Sequence, residues 1–196
     1  FSQALATHPR IAAVARAAID AGASIINDVS ACTEDVELAP LAAAEGTGLV
    51  LMHRVLDPTH DRWSHEHQSP LVQGDIVDAV AAALAARVAE VAACGVSIGS
   101  IAVDPGLGFG KTVQQNLALV AGTARFVAMG HPLLVGASRK SFIGAITGEP
   151  DPSRRVAGSV AVHLEAAGRG AQLLRVHDVA EHAQALAAWR AIRELA

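Results

Sequence analysis

The sequence predicts an α/β fold that forms part of a TIM (β/α)8 barrel, and three observations lead to this prediction. Apolar strands and helices alternate along the 196 residues. The strands are continuous apolar runs such as GLVLM and PLLVG, which is typical of a parallel sheet covered by helices. Each strand ends in groups capable of specific chemistry, and in a barrel all strand ends face one mouth. A doubly wound open sheet, which needs functional groups at one switch point only, is the alternative.

Five predicted strands set the order of the elements. They cover residues 24–28, 48–52, 100–104, 132–136 and 171–176. Helices are predicted at about 35–45, 74–94, 113–129, 153–168 and 179–195. A further helix begins at His8-Pro9 and stops at Gly22, with no strand before it. Since a complete barrel needs roughly 250 residues, we expect five of eight β/α units with a preceding helix.

Two helix starts carry side chains spaced for capping. Thr112 stands three residues before Gln115, and Asp178 stands three residues before Glu181. This spacing lets the two side chains satisfy free amide groups of a first helical turn. We therefore expect helices to begin directly after Thr112 and Asp178.

Composition and charge narrow the possible functions. A hydrophobic share of 52% and a charged share of 17% indicate a globular chain with a real core. The net charge of -4, with both signs interspersed, predicts no nucleic-acid partner and no membrane surface. No charge-free stretch reaches the roughly 18 residues of a membrane span, so a cytoplasmic protein is expected. Cys32 and Cys94 stand apart, which suits a reducing compartment and buried, unreactive thiols.

The run AVDPGLGFGK, residues 102–111, joins a strand to a glycine loop and a lysine. Asp104 ends the strand, where a carboxylate can accept two N–H groups from a flat heterocycle. A loop or capping aspartate is the alternative. The run matches neither common phosphate-binding motif, because GxxxxGK[ST] requires glycine where Pro105 stands and GxGxxG fails where Lys111 follows Gly110.

The run LLVGASRKSFIG, residues 133–144, is the second strand exit with a lysine. Ser138, Arg139 and Lys140 place a hydroxyl, a guanidinium and an ammonium in succession. These groups can hold a carboxylate or a carbonyl oxygen, although a surface turn could carry the same triplet.

The last strand ends in RVH. Arg175 and His177 flank one residue, so strand alternation sends both side chains to the same side. Together they can bind an anion such as pyrophosphate. A structural ion pair with Asp178 is the alternative.

Three further strand-end or loop features are weaker signals. Asn27 offers a donor and an acceptor to a heteroaromatic edge, and Met52 offers a polarizable surface to a ring, but either is more often packing or a turn. One hydrophilic loop holds His60, His65, Glu66 and His67. A zinc site is conceivable there, but the spacing favours a solvated loop.

The motifs IINDVSA, LVLMH, DPGLGFGK, LLVGASRKSFIG and LLRVHDV, in this order, resemble the dihydropteroate synthase family of folate biosynthesis, which has a TIM-barrel fold. The resemblance extends from about residue 22 to the end, and the last three motifs are specific. It implies a transferase that joins p-aminobenzoate to 6-hydroxymethyl-7,8-dihydropterin diphosphate and releases pyrophosphate with the help of Mg2+. It also implies a cytoplasmic homodimer that sulfonamides inhibit.

The resemblance assigns roles to the candidate residues. Asn27, Asp104 and Lys140 would hold the polar edge of the pterin, with Met52 against its face and Gly136 allowing its close approach. Arg175 and His177 would bind the leaving pyrophosphate. Phe109, Ser138 and Arg139 would line the p-aminobenzoate pocket, with Lys111 beside it. Asp104, Lys140, Arg175 and His177 would form the catalytic set.

The sequence departs from the family pattern in three places. Ala31 stands where the family has glycine, and the loop RVLDPTHDRWSHEHQSP is unlike the common version. The motifs of the family's first three strands, including the asparagine that binds magnesium, have no counterpart. Residues 1–196 are therefore expected to be the carboxyl-terminal part of one pterin-binding barrel domain, N-terminally incomplete and inactive alone. Alternatives are the pterin-binding domain of corrinoid-dependent methyltransferases, which binds methyltetrahydrofolate, and a non-catalytic binding module.

Overall fold

A computed structural model describes residues 6–7, 11–56 and 60–195. Over these residues six strands alternate with eight α-helices. The strands are β1 (Ala6–Thr7), β2 (Ile25–Asp28), β3 (Gly48–Met52), β4 (Ile101–Asp104), β5 (Leu134–Val135) and β6 (Leu173–Leu174). The helices are α1 (Ala12–Asp20), α2 (Leu38–Glu45), α3 (Ile76–Ala93), α4 (Val113–Ala121), α5 (Thr123–Val127), α6 (Ser141–Thr147), α7 (Val156–Gly168) and α8 (Val179–Arg193).

The strands are parallel, and each pairs with the strand that follows it in the chain. One sheet has the order β1-β2-β3-β4 and the other pairs β5 with β6. A parallel bridge between Val103 and Leu133 joins β4 to the start of β5. A doubly wound sheet reverses its strand order at a switch point, whereas this order runs in one direction, as in a barrel.

Two apolar clusters lie on opposite faces of the sheet. The larger one includes Leu49, Leu51 and Val103 and packs against the helices. The smaller one consists of Val50, Ala102 and Leu134, with Ile25 packed against it. Because side chains alternate along a strand, the small cluster marks the inner face of the barrel. The inner face is also the face on which the ends of β2, β3 and β4 carry their functional side chains.

Most of the predicted elements are confirmed. Four details differ: strand β1, the division of one predicted helix, helix α6 and the cap at Asp178. The prediction of no strand before α1 is wrong, because Ala6 pairs with Ile25 in parallel. A strand of two residues is too short to give a periodic pattern. The predicted helix start at His8-Pro9 lies outside the described residues. The helix predicted at 113–129 is divided at Gly122 into α4 and α5.

Helix α6 is the third difference, since no helix was predicted there. Its sequence SFIGAIT contains Gly144 and two β-branched isoleucines, which weaken its helix signal. Tertiary packing explains the glycine, because a Cβ at Gly144 would lie 2.7 Å from the Arg155 side chain. Local propensity is therefore overridden by contacts that a sequence pattern does not contain.

The two predicted caps have different outcomes. Thr112 and Gln115 form a complete capping box at α4. Asp178 begins α8 but makes no side-chain cap, since its carboxylate accepts hydrogen bonds from Arg139 instead. Over the described residues, no helix is both long and apolar enough to cross a membrane.

Candidate active site

Three buried side chains lie together at the carboxyl ends of neighbouring strands. Asn27 follows Ile25 and Ile26 in β2, Met52 ends β3, and Asp104 ends β4. Met52 and Asp104 are direct register partners. Each of the three is at most 2% exposed. Each stands two residues after a member of the inner group (Ile25, Val50 and Ala102), so all three lie on the inner face and point into the mouth of the barrel.

Arg175 links two of these residues across the mouth. Its Nη1 donates to Oδ1 of Asn27 at 3.2 Å, and its Nη2 lies 3.4 Å from Oδ2 of Asp104. Gly136 makes room for this guanidinium, because a Cβ there would lie 2.8 Å from Nη2. A pterin is expected to lie close to Gly136, but in this structure the Arg175 guanidinium occupies that space. The guanidinium contacts Asn27 at the end of β2 and Asp104 at the end of β4.

Two buried polar atoms in this group have no hydrogen-bond partner among the described residues. They are Nδ2 of Asn27, a donor, and Oδ2 of Asp104, an acceptor. The other carboxylate oxygen of Asp104 accepts from the backbone N–H of Gly106 at 2.7 Å. A buried polar atom without a partner costs about 1–3 kcal/mol, so such atoms are concentrated at binding sites. The pair offers one donor and one acceptor to a polar, planar ligand.

Lys140 stands at the edge of the same mouth. Its ammonium donates to the carbonyl oxygen of Leu107 and lies 4.6 Å above the centre of the Phe109 ring. Burial lowers the pKa of Lys140 to about 8, an effect that the Asp104 carboxylate opposes and the Arg175 guanidinium reinforces. The lysine is therefore a largely buried cation placed between an aromatic face and a carboxylate.

A cavity of about 430 Å³ opens beside Lys140. Its lining combines aromatic and charged side chains from three loops and one helix start: Asp61, Arg62, Trp63, Glu66, Leu107, Gly108, Phe109, Lys140 and Ser141. This size and lining suit a small aromatic molecule with an anionic group. Phe109 is the one residue of the expected p-aminobenzoate set that lines the cavity.

The loop of residues 60–67, interpreted from the sequence as solvated, is partly packed. The Ser64 backbone donates to Oγ of Ser141 at 3.0 Å, and Ser64 Oγ accepts from Asn116 at 3.1 Å. The Gly110 backbone donates to Asp61 at 2.9 Å. Ser64 is 1% exposed, whereas Trp63 is 65% exposed. Sequence patterns missed Asp61 and Ser64 because their partners lie far away along the chain.

Side chains that commonly bind metals occur at many positions among the residues that the structure describes. Within 11–56 and 60–195, no three His, Cys, Asp or Glu side chains form a group that could hold an ion. The carboxylate of Asp28, beside Asn27, accepts hydrogen bonds from Ser30 and the Cys32 backbone. Oδ1 of Asp104 is bonded to its own loop. The Asp28 carboxylate and Oδ1 of Asp104 are therefore already engaged by the protein's own groups.

Lys111 is fully buried beneath the 105–111 loop. Its ammonium donates to the carbonyl oxygens of Gly106 at 2.8 Å, Phe109 at 3.0 Å and His53 at 3.3 Å. Burial, followed by the charge of Lys140, lowers its pKa to about 7. Gly106 has a φ of 67°, and a Cβ there would lie 1.8 Å from the His53 carbonyl oxygen. Gly106 and Lys111 thus hold this loop against His53, the residue that follows β3.

Ser138 and His177 contact each other at the ends of β5 and β6. Oγ of Ser138 accepts from the His177 backbone at 3.1 Å and lies 2.9 Å from its ring Nδ1. Arg175 lies over Gly136, and His177, two residues later, contacts Ser138, two residues after Gly136. Arg175 and His177 therefore lie on the same side, as strand alternation predicts. Neither Ser138 nor His177 lines the cavity.

Arg139 points away from the cavity. Its guanidinium binds both carboxylate oxygens of Asp178, one through Nε at 3.0 Å. The ion pair with Asp178 is therefore made by Arg139, whereas the sequence suggested Arg175 and His177 as its partners. This pairing raises the pKa of Arg139 and lowers the pKa of Asp178.

Comparison with known proteins agrees with this geometry. A profile described as pterin binding enzyme matches residues 10–177. The chain belongs to the pterin-binding enzyme family. It is 44% identical to a dihydropteroate synthase of Neisseria meningitidis serogroup C over 87% of this chain and 59% of that protein. The chain thus spans about 59% of the length of this curated relative.

Solved structures of dihydropteroate synthases have the same fold. The Thermus thermophilus enzyme in complex with 4-aminobenzoate is 41% identical, with a TM-score of 0.85 over 95% of this chain and 69% of that one. The Yersinia pestis enzyme, in a sulfonamide drug complex, is 34% identical, with a TM-score of 0.90 over 100% of this chain and 69% of that one. The fold is accordingly part of a TIM barrel, which confirms the predicted class.

Proposed function

We propose that the complete gene product containing residues 1–196 is a dihydropteroate synthase, a transferase of folate biosynthesis. It would condense 6-hydroxymethyl-7,8-dihydropterin diphosphate with p-aminobenzoate to give 7,8-dihydropteroate and pyrophosphate. Residues 1–196 would supply the carboxyl-terminal part of a single barrel domain, in a cytoplasmic protein that forms homodimers. The observation that carries the proposal is a buried donor of Asn27 and a buried acceptor of Asp104, near each other at strand ends, that have no hydrogen-bond partner among the described residues.

A pterin ring satisfies both of these atoms. Its amino group and neighbouring ring N–H are donors that a carboxylate such as Asp104 accepts, and its ring nitrogens accept from an amide such as Asn27. Met52, directly beside Asp104 in register, supplies an apolar, polarizable surface for the ring face. Lys140 adds a charge-assisted donor for the ring carbonyl. These contacts fix the ring at the bottom of the mouth, with its methylene substituent facing the cavity.

The 430 Å³ cavity fits the second substrate. Phe109 and Trp63 offer aromatic surface to the benzoate ring, while Arg62 and Lys140 offer positive charge to its carboxylate. Ser138 and Arg139, which do not line this cavity, would act on the substrate indirectly by shaping the turn before Lys140. Lys111 would act in the same way by fixing the loop that carries Phe109.

The reaction breaks the bond between the pterin methylene carbon and the diphosphate oxygen, whose electron pair leaves with pyrophosphate. Positive charge develops on the methylene carbon, and the electron-rich pterin with the nearby Asp104 carboxylate stabilises it. The amine nitrogen of p-aminobenzoate then forms the new bond and loses a proton. Holding the amine near the carbon lowers the barrier by making the step effectively unimolecular.

Arg175 and His177 would bind the departing pyrophosphate. Arg175 already neutralises part of the Asp104 charge, so pterin binding at Asp104 competes with this ion pair and frees the guanidinium for an anion. The family resemblance implies Mg2+, but no step is assigned to it, because the described residues contain no group of three His, Cys, Asp or Glu side chains that could hold an ion.

Product formation by the complete gene product tests this function. We expect 7,8-dihydropteroate, measured by chromatography, from the pterin diphosphate and p-aminobenzoate. Lys140→Ala and Asp104→Asn should each lower kcat/KM by about 10²-fold, the usual effect of removing one buried group that stabilises the transition state. Arg154→Ala serves as the control, because that side chain is 74% exposed and pairs with Glu149.

Three outcomes would contradict the proposal. If Lys140→Ala turned over at the rate of the unchanged protein, the assignment of the pterin pocket would be wrong. If the unchanged protein bound the pterin diphosphate but formed no dihydropteroate, it would be a binding module and not a synthase. Methyl transfer from methyltetrahydrofolate would instead support the methyltransferase alternative.

A further inference from the structure

Two buried histidines contact each other between α7 and α8. His163 is 0% exposed and His182 is 4% exposed. Their ring nitrogens, Nδ1 of His163 and Nε2 of His182, lie 2.9 Å apart, with the ring planes inclined by 66°. Nothing in the proposed reaction uses either ring. A buried polar network whose hydrogen bonds are all satisfied makes the surrounding structure more rigid.

The neighbours of the two rings determine where each proton lies. The Ala137 backbone N–H can only donate, and it lies 3.0 Å from Nε2 of His163, so that nitrogen accepts. The Asp178 carbonyl oxygen can only accept, and Nδ1 of His182 lies 2.7 Å from it, so that nitrogen donates. The central bond must then run from Nδ1–H of His163 to Nε2 of His182. Both rings are neutral, and both carry the proton on Nδ1.

The two histidines thus form a hydrogen-bond chain from the Ala137 N–H to the Asp178 carbonyl oxygen, and both ends of this hydrogen-bond chain lie next to the 138–140 turn. Ala137 directly precedes the turn, and Asp178 accepts hydrogen bonds from Arg139, the middle residue of the turn. The histidine pair therefore fixes β5 relative to the start of α8, and with it the distance that the Arg139 side chain must span.

The turn needs this support because its backbone is strained. Arg139 has a φ of 61°, a left-handed conformation that is unfavourable for a residue other than glycine. Its N–H donates to Ser159 at 2.9 Å, and its carbonyl oxygen accepts from Arg155 at 3.0 Å. Lys140, the next residue, takes its direction from this strained position.

We propose that His163 and His182 are positioning residues for Lys140, which act through the 138–140 turn as a neutral, directional hydrogen-bond chain. The part of the proposal that concerns ligand binding rests on the proposed function of Lys140. The chain works in one protonation state only. A second proton on Nε2 of His163 would face the Ala137 N–H, and one on Nε2 of His182 would face the His163 N–H.

The surrounding charges favour the neutral state. His163 faces His182 and the Lys140 ammonium, and α4 and α6, which also pack near it, contain no charged residue. On the side of α8, Asp178 is paired with Arg139, and Glu181 is exposed. Burial, then His182 and Lys140, lowers the pKa of His163 to about 4. The chain therefore stays intact at neutral pH and is lost as the pH falls through about 4.

Nuclear magnetic resonance tests the proton positions directly and independently of any ligand. Two-bond 1H–15N correlations of the protein at pH 7 should show both histidines neutral, with a protonated Nδ1 and an unprotonated Nε2. Free histidine favours the opposite tautomer, so this pattern is diagnostic. A charged ring, or a protonated Nε2 on either residue, would overturn the proposal.

Calorimetric titration with 6-hydroxymethyl-7,8-dihydropterin diphosphate tests the effect on the site. His163→Leu leaves the Ala137 N–H unpaired, and we expect the dissociation constant to rise about tenfold. The double variant His163→Gln/His182→Gln keeps the same donors and acceptors without titrating, so its affinity at pH 7 should stay within twofold. His131→Gln, in the turn before β5, is the control and should also bind as the unchanged protein.

The pH profile separates positioning from simple stability. As the pH falls from 7 to 4, the unchanged protein should lose affinity relative to the Gln/Gln variant, and the ratio of their dissociation constants should rise below pH 5. A constant ratio would overturn the proposal. Lys140→Ala distinguishes failure of the positioning role from failure of the proposed function. If both Lys140→Ala and His163→Leu bind the pterin diphosphate normally, the proposed function is wrong. If His163→Leu binds normally and Lys140→Ala does not, only the positioning role is wrong.

Discussion

At the scale of single residues, Ala31 shows how a departure from the family pattern is tolerated. Ala31 and Cys32 have φ angles of 51° and 61°, in the left-handed region that favours glycine. The Asp28 carboxylate holds this conformation by accepting hydrogen bonds from the backbone of Ser30 and Cys32. The alanine methyl group is 4% exposed and packs in the core. Burial of the methyl thus offsets part of the backbone strain.

Substitutions at Ala31 test this balance. Ala31→Gly relieves about 1 kcal/mol of strain but loses a buried methyl worth about 0.8 kcal/mol and gains chain entropy when unfolded. We expect the free energy of unfolding to change by less than about 1 kcal/mol. Ala31→Val should lower it by about 2–3 kcal/mol, because a β-branched residue combines a positive φ with overpacking. Urea unfolding measures both, and equal effects of the two substitutions would contradict this account.

The two cysteines should differ in reactivity, contrary to the expectation that both are buried. Cys94 is exposed, whereas Cys32 is buried. Burial, followed by the charge of Asp28, raises the pKa of the Cys32 thiol to about 12, so almost no thiolate forms at pH 8. An aromatic disulfide reagent at pH 8 should label one thiol per native chain, and Cys94→Ser should remove that signal. Fast labelling of two thiols in the folded protein would disprove the assignment.

At the scale of elements, local patterns predicted the strands and helices that bury continuous or periodic apolar surface. The strands β2, β3 and β4 were predicted correctly, because a strand covered by helices is a continuous apolar run. The start of α4 was predicted from the capping residue Thr112. The sequence did not reveal β1 or α6. β1 is too short for a pattern, and α6 depends on the packing of Gly144 against Arg155.

The same reasoning explains how far the site could be predicted. Strand alternation places Asn27, Met52 and Asp104 on one face, and the structure shows that arrangement. Alternation does not determine where long side chains end, so the partners of Arg139 and Arg175 could not be read from their positions. The packing of Ser64 against Ser141 joins residues 77 positions apart, and no local signal predicts such a contact.

The 105–111 loop is the element whose stability depends most on one side chain. Lys111→Met keeps the apolar length but leaves the carbonyl oxygens of Gly106 and Phe109 without this donor. We expect the free energy of unfolding to fall by about 1–2 kcal/mol, since unsatisfied buried acceptors cost about 1–3 kcal/mol each, while the substitution removes the cost of burying the ammonium that the lowered pKa of Lys111 reflects. Hydrogen–deuterium exchange should also speed up at residues 105–111.

Arg125→Met is the matched control for Lys111→Met. Its guanidinium pairs with Asp78 at the surface, where both side chains are more than half exposed. Removing it should change stability by less than about 1 kcal/mol and leave exchange in the loop unaltered. If Lys111→Met gave the same small effect, the lysine would not be holding the loop.

At the scale of the whole molecule, buried basic side chains set the direction of the pH dependence. Burial lowers the pKa of His53 to about 3 and that of His163 to about 4. Burial likewise lowers the pKa of Lys111 to about 7 and that of Lys140 to about 8. In each case the unfolded chain holds the proton up to a higher pH than the folded chain. The unfolded state therefore binds more protons, and stability rises with pH across each interval.

The acid side of this dependence gives a sharp prediction for the histidines. Unfolded histidine gains its proton near pH 6.5, whereas folded His163 does so only near pH 4. Its contribution to stability is therefore complete above pH 6.5 and falls by about 3 kcal/mol as the pH drops to 4. Urea unfolding at pH 7, 6, 5 and 4 measures this loss. The His163→Gln/His182→Gln variant cannot gain the His163 proton, so its free energy of unfolding should decline less steeply over the same interval. An identical slope would show that His163 does not cause the acid sensitivity.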